Sequence, residues 1–165
     1  IAQVVLGPRR IWSQFRENEE SFKMSNYVGS CSCGAVEVAV TGEPAAMAVC
    51  HCTICRGWSA APVTGACLWA PDNFKVTKGE DCLGSYAKVE GHDRKWCVKC
   101  GGHVFVDHST TYGLMDVYGS ILQDFKFEPA FHVNYENCIL PIKDGLPKFK
   151  DFPTDFGGSG EMLEE

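Results

Sequence analysis

The sequence predicts an all-β domain with few helical turns, and three observations predict it. From Gly29 onward the dominant hydrophobic period is two, turn residues recur every few positions, and no amphipathic helix of three turns follows residue 24. Val36, Val38 and Val40 alternate with Ala35, Glu37 and Ala39, which predicts a half-buried strand ending at Gly42 and Pro44. Met47 and Val49 carry a second strand into Cys50, and residues 62–69 form an apolar stretch with Val63, Cys67, Leu68 and Trp69. Pro71-Asp72-Asn73 and Lys78-Gly79-Glu80-Asp81 bracket a short Phe74-Lys75-Val76 strand. Glu90-Gly91-His92-Asp93 separates a strand near Tyr86 from one entering Trp96-Cys97. Further short strands are predicted at 103–107, 113–118 and 131–135, with a late turn at Asp144-Gly145 and one or two helical turns near Arg56 or Ser120.

At 165 residues and 45% hydrophobic content, the chain suits one domain with a modest core that bound metal would help to cross-link. The formal net charge is −6 with no basic stripe, which argues against nucleic acid as a partner. No apolar run approaches the roughly 18 residues of a membrane-spanning helix, so no membrane partner is expected and a soluble protein is. The chain opens with Ile1, and Met24 reads as a start, which makes residues 1–23 an N-terminal extension or an expression remnant. Within it Ile11, Trp12 and Phe15 share a helical face, a pattern for a short docking helix. Val4-Val5-Leu6 is too short for a secretory signal core, so the cytoplasm is the expected compartment. Residues 24–153 then form the domain, and 154–165, with Gly157-Gly158-Ser159-Gly160 before Glu161, a flexible acidic C-terminal tail.

Seven of the ten cysteines fall into three tight clusters, and seven divides into four ligands plus three. In extended backbone, Cys31 and Cys33 project to one face. Cys97-x-x-Cys100, followed by Gly101-Gly102, has the spacing of a zinc knuckle. Together these two pairs make a closed, structural zinc site whose binding energy is folding energy. Cys50, Cys52 and Cys55 converge on a second ion and leave a coordination position free. Sulfur ligands and an open position suit holding a substrate thiol as thiolate for addition to a reactive carbonyl. The expected cofactor is therefore zinc, two per chain, in a metal enzyme. Two other readings compete. Disulfides would need an oxidising compartment and strained Cys-x-Cys geometry. A purely structural two-zinc module would need His51, His92, His103, His108 or His132 to close the second site. Cys67, Cys82 and Cys138 are expected as buried small hydrophobes.

These motifs resemble a known family, the glutathione-dependent formaldehyde-activating enzymes and relatives that include centromere protein V. The resemblance is carried by Gly29-Ser30-Cys31-Ser32-Cys33-Gly34-Ala35-Val36, Cys50-His51-Cys52-Thr53-Ile54-Cys55-Arg56 and Trp96-Cys97-Val98-Lys99-Cys100-Gly101. Weaker echoes are Gly119-Ser120-Ile121-Leu122, Pro129-Ala130-Phe131-His132 and Asp144-Gly145-Leu146-Pro147, so the match runs from Gly29 to about Pro153. The resemblance implies a β-tent fold of small antiparallel sheets around zinc. It implies structural zinc on Cys31, Cys33, Cys97 and Cys100 and catalytic zinc on Cys50, Cys52 and Cys55. It also implies carbon–sulfur lyase activity, joining a thiol such as glutathione to formaldehyde or a related aldehyde, or the reverse.

Beyond the ligands, four residues are weaker candidates, each with a structural alternative. Arg56 is placed to attract a substrate carboxylate or simply to be solvated; Trp58 to wall a pocket or to pack in the core; His103 and His132 to carry protons or to be structural. The competing function classes are a zinc-stabilised binding or scaffold module, as for centromere protein V with microtubules, and a thiol redox or zinc-buffering protein. The acidic background weighs against binding acidic filaments.

Overall fold

Ten short strands, one two-turn helix and five 3-10 turns make up residues 26–164, the span described by the computed structural model. The arm at 1–23 and Met24 lie outside the described residues. Alternation at period two builds two sheets. The smaller has strands β1 (Asn26–Ser30), β2 (Glu37–Thr41) and β5 (Phe74–Lys78), in the order β1-β2-β5. The larger contains β3 (Ala46–Cys50), β4 (Thr64–Trp69), β6 (Leu83–Tyr86), β7 (Asp93–Cys97), β8 (His103–His108), β9 (Leu114–Val117) and β10 (Phe131–Val133). Its order is β10-β3-β4-β9-β8-β7-β6. All neighbours are antiparallel except β10, which pairs parallel with β3. The fold is thus mostly β, as expected, with one parallel edge that no sequence signal marks.

The core follows from the alternation. Val36, Val38 and Val40 of the small sheet join Cys67 and Trp69 of β4, Phe105 of β8, and Met115 and Val117 of β9 in one buried cluster. Their neighbours at the other phase, Ala66, Leu68, Leu114 and Asp116, point to the opposite face of the large sheet, where a cavity lies. Trp69 is fully buried and donates its indole N–H to the Gly42 carbonyl, 3.2 Å away, which ties the turn after β2 to the large sheet.

Four expectations are refined. Asn26–Ser30 forms β1 through pairing with β2, although its sequence has little alternation. The strand expected at 131–135 stops at Val133, because Asn134 enters the left-handed region at φ 55° and Tyr135–Asn137 winds into a 3-10 turn. Cys138 is half-buried rather than buried, unlike Cys67 and Cys82. The segment expected as a flexible acidic tail instead folds back on the domain. Its backbone bridges Met162 to Phe149, and Asp151 accepts hydrogen bonds from the Ser159 N–H and hydroxyl, at 3.0–3.1 Å and 2.6 Å. Among the described residues, no helix is long and apolar enough to cross a membrane.

Candidate functional site

The four-cysteine group forms where the two sheets meet. Cys31 follows β1, Cys33 sits in the turn before β2, Cys97 ends β7, and Cys100 lies in the turn before β8. Their sulfurs all lie within 4.8 Å of one another. Cys31 and Cys97 are buried, Cys33 and Cys100 exposed, so the group is rooted in the core and reaches the surface. Both turns need tight backbone. Gly101 adopts φ +74° and donates its N–H to the Cys97 carbonyl at 2.8 Å, while a Cβ on Gly102 would sit 3.3 Å from the Cys100 sulfur. The Val36 N–H donates to the Cys31 sulfur at 3.3 Å, as backbone amides do to metal-bound thiolates. A four-sulfur set of this kind fits zinc, and filling it would clamp the small sheet to the large one.

The three-cysteine group is built by a strand feeding a helix. Cys50 is the last residue of β3, and the chain turns at Cys52 into helix α1 (Thr53–Ser59). Cys52 is the helix N-cap, its sulfur accepting the Cys55 N–H at 3.2 Å, which brings the second and third sulfurs together. All three sulfurs lie within 4.8 Å, and among the described residues no histidine or carboxylate joins them. Without a cation, such crowding lets only one thiol ionise. The hydrogen bonds donated by Cys50 and Cys55 pull the Cys52 thiol down, while Cys50 is pushed up by giving its proton to Cys52 and Cys55 and by burial. A divalent ion removes the conflict by neutralising all three, so the donor set fits a thiophilic metal. All ten cysteines are free thiols, so disulfides do not compete for these sulfurs.

The three sulfurs face a cavity of about 320 Å³ on the outer face of the large sheet. Its floor is hollow for a simple reason: at alternate positions β3 and β4 present Ala46, Ala48 and Ala66, which leave room where larger side chains would fill it. Residues 26–137 match the sequence model of the family described as glutathione-dependent formaldehyde-activating enzyme. The chain belongs to this family. An uncharacterized lyase of Schizosaccharomyces pombe is 32% identical over 79 residues, which cover 47% of this chain and 55% of that protein. The chain thus matches only about half the length of that relative. A crystal structure of a Rhodobacter sphaeroides protein superposes with a TM-score of 0.51 at 24% identity, over 60% of this chain and 90% of the other. That likeness concerns the fold alone.

Within this family member none of the histidines that competed to close the second site joins its sulfurs among the described residues. His51 and His132 are fully buried, with His51 Nε2 2.8 Å from His132 Nδ1. His132 Nε2 is 2.9 Å from Asp144, whose other oxygen pairs with the buried Lys148 ammonium. Burial, then the positive charges of His132, Lys148 and Arg56, lower His51 to about 4, so it is neutral at pH 7. His103 stacks on Trp58 with ring centroids 4.4 Å apart, and Trp58 also meets Trp96 edge-on. Neither is among the residues that line the cavity. Arg56 donates Nε to the His51 carbonyl at 3.1 Å, which braces the knuckle, and it is not among the residues that line the cavity.

Two cavity residues escaped the sequence reading, Arg94 and Asp116; His92 and His108, named there only as candidates to close the second site, also line the cavity, with their Nδ1 atoms 2.7 Å apart. Asp116 had a signal, since a carboxylate set between Met115 and Val117 in an apolar strand must face something other than bulk water. Its Oδ1 accepts the Cys67 N–H at 2.8 Å, and burial pushes its pKa up to about 7. Arg94 stands between Asp93 and Lys95, a charged run that carries no local sign of burial.

Proposed function

We propose that this chain is a zinc-dependent carbon–sulfur lyase that adds a thiol to formaldehyde or a related small aldehyde, or runs the reverse elimination. The observation that carries the reading is the three-sulfur group that opens on a cavity with no fourth protein donor among the described residues. Family membership and a relative named as a lyase support the reaction class. In this reading Cys31, Cys33, Cys97 and Cys100 hold a structural zinc, and Cys50, Cys52 and Cys55 hold the second. Bound to those three, zinc supplies a positive centre at which a substrate thiol is held as thiolate.

The chain's own residues do the rest. The alanine floor and apolar walls exclude water and hold the aldehyde beside the sulfur. The new bond joins sulfur to the carbonyl carbon; the thiol's proton leaves sulfur and ends on the carbonyl oxygen. His92 and His108 face the cavity, and burial lowers both, His108 to about 4, so a neutral imidazole nitrogen is available at pH 7 to take the proton and pass it on. Ten free cysteines agree with a reducing compartment such as the cytoplasm.

The test replaces Cys52 with serine. Zinc per chain should fall from two to one, and thiol–aldehyde adduct formation, followed by the nuclear magnetic resonance signal of the hydroxymethyl thioether, should drop at least about a hundredfold. Adduct formation at the unchanged rate with the second zinc gone would defeat the reading.

A further inference from the structure

We propose that Arg94 is the specificity-determining residue of the cavity, and that the larger reactant is a molecule with an apolar body and one carboxylate, which Arg94 receives. The inference rests on the thiol–aldehyde reading only for which end of that molecule reacts.

Arg94 is 6% exposed, and its guanidinium lines the same cavity as the three sulfurs. A buried guanidinium normally has its donors filled, because an uncompensated buried cation is costly. Here its hydrogen bonding among the described residues is one long contact, Nη1 to the His92 carbonyl at 3.3 Å. Nε is fully buried without an acceptor. No carboxylate among the described residues forms an ion pair with it. The nearest candidate is Asp116, which lies in the same register row across the large sheet. That row runs Arg94, Val106, Asp116, Leu68, Ala46, and Val106 separates the two charged residues. Asp116 Oδ1 accepts the Cys67 amide, and the charge of Arg94 acts on this carboxylate only through space, with no hydrogen bond or ion pair between them. Nε is out of a ligand's reach, and the Nη edge of Arg94 is left for an acceptor that the described residues do not supply.

The rest of the cavity states what else the ligand must be. Its walls are apolar, with Leu68, Leu114, Phe131 and Phe152 among them, and they offer few partners for a peptide backbone or a sugar. A planar carboxylate suits the guanidinium fork in geometry and charge. An apolar body with one carboxylate satisfies the apolar walls and Arg94 together.

The experiment compares a matched pair of probes on the zinc-loaded full chain by calorimetry: 3-phenylpropanoate and 3-phenylpropan-1-ol. They share an apolar body and differ in the carboxylate. The acid should bind about tenfold or more tightly than the alcohol, as a charge-assisted pair does over a neutral one. Arg94→Met should abolish that preference while leaving alcohol binding within about twofold. Ala66→Leu, which fills the floor, should weaken both probes alike. Equal affinity of the two probes for the unaltered protein overturns the proposal, and so does a preference that survives Arg94→Met. If Arg94→Met does not fold, the comparison on the unaltered protein and on Arg94→Lys still decides it, since lysine keeps the charge but loses the fork and should retain only part of the preference. Because the readout is binding, loss of the lyase reading with the acid preference intact, or the reverse, separates the two claims.

Discussion

Replacing Asp144 with asparagine removes the charge that balances Lys148, a lysine only 2% exposed. Breaking a buried ion pair by deleting one partner costs about 3–5 kcal/mol, because the remaining charge stays out of water. Three features of the site reduce that figure. The Asp144 side chain is 32% exposed, the Leu146 carbonyl still accepts from Lys148 Nζ at 2.9 Å, and the Tyr135 ring lies 5.9 Å from it. An expected loss of about 2–3 kcal/mol follows. Urea unfolding of the zinc-loaded protein at pH 7 measures it. Adding Lys148→Met to Asp144→Asn removes the buried ammonium as well and should restore more than half of the loss. A single-variant loss below about 0.5 kcal/mol, or a double variant no more stable than the single one, would refute the reasoning. The pH dependence gives an independent check. Although burial works against ionisation, Lys148 and His132 hold the Asp144 carboxyl below the usual carboxylate range. Its stabilisation is therefore complete above an ordinary carboxylate pKa and fades as pH falls further, a fall that Asp144→Asn should lack.

Two more outcomes are expected. A strong chelator should unfold the domain, since a structural zinc contributes apparent binding energy of about 10–16 kcal/mol in small zinc domains; Cys31→Ser should do the same without chelator, read by circular dichroism and zinc content, whereas Cys52→Ser should stay folded. Asp116, pushed up by burial to about 7, binds its proton more tightly folded than unfolded, so its ionisation should lower stability as pH rises from about 4 through 7. The drop is roughly 2–4 kcal/mol, nearer the lower figure because Asp116 keeps some accessible surface, and Asp116→Asn should flatten that part of the stability profile measured in urea.

Much of this was readable along the chain because the deciding signals are local. Val36, Val38 and Val40 announce a strand with one buried face, and that face is in the core. Cys50-x-Cys52-x-x-Cys55 brings three sulfurs together within six residues, so its grouping needs no knowledge of the fold. Cys31-x-Cys33 and Cys97-x-x-Cys100 each look like half a site, and pairing the halves is the step of arithmetic that the geometry repeats. The helical turns near Arg56 and Ser120 also lie where the pattern put them, at Thr53–Ser59 and Gly119–Ile121.

The long-range choices belonged to the tertiary structure. His51, His103 and His132 are alike on paper; what separates them is His132 meeting His51 across 81 positions and Trp58 covering His103. Arg56 and Arg94 differ in a way that local spacing does not show. The first follows a ligand but is spent on a backbone carbonyl, and the second, in a charged run, is carried inside because β7 pairs with β8 in a register that turns it to the cavity. Residue types and spacings determined which atoms can hold metal, because ligand geometry closes over a few bonds. Register and sheet order, set by contacts among distant segments, decided which of the remaining polar groups line the cavity.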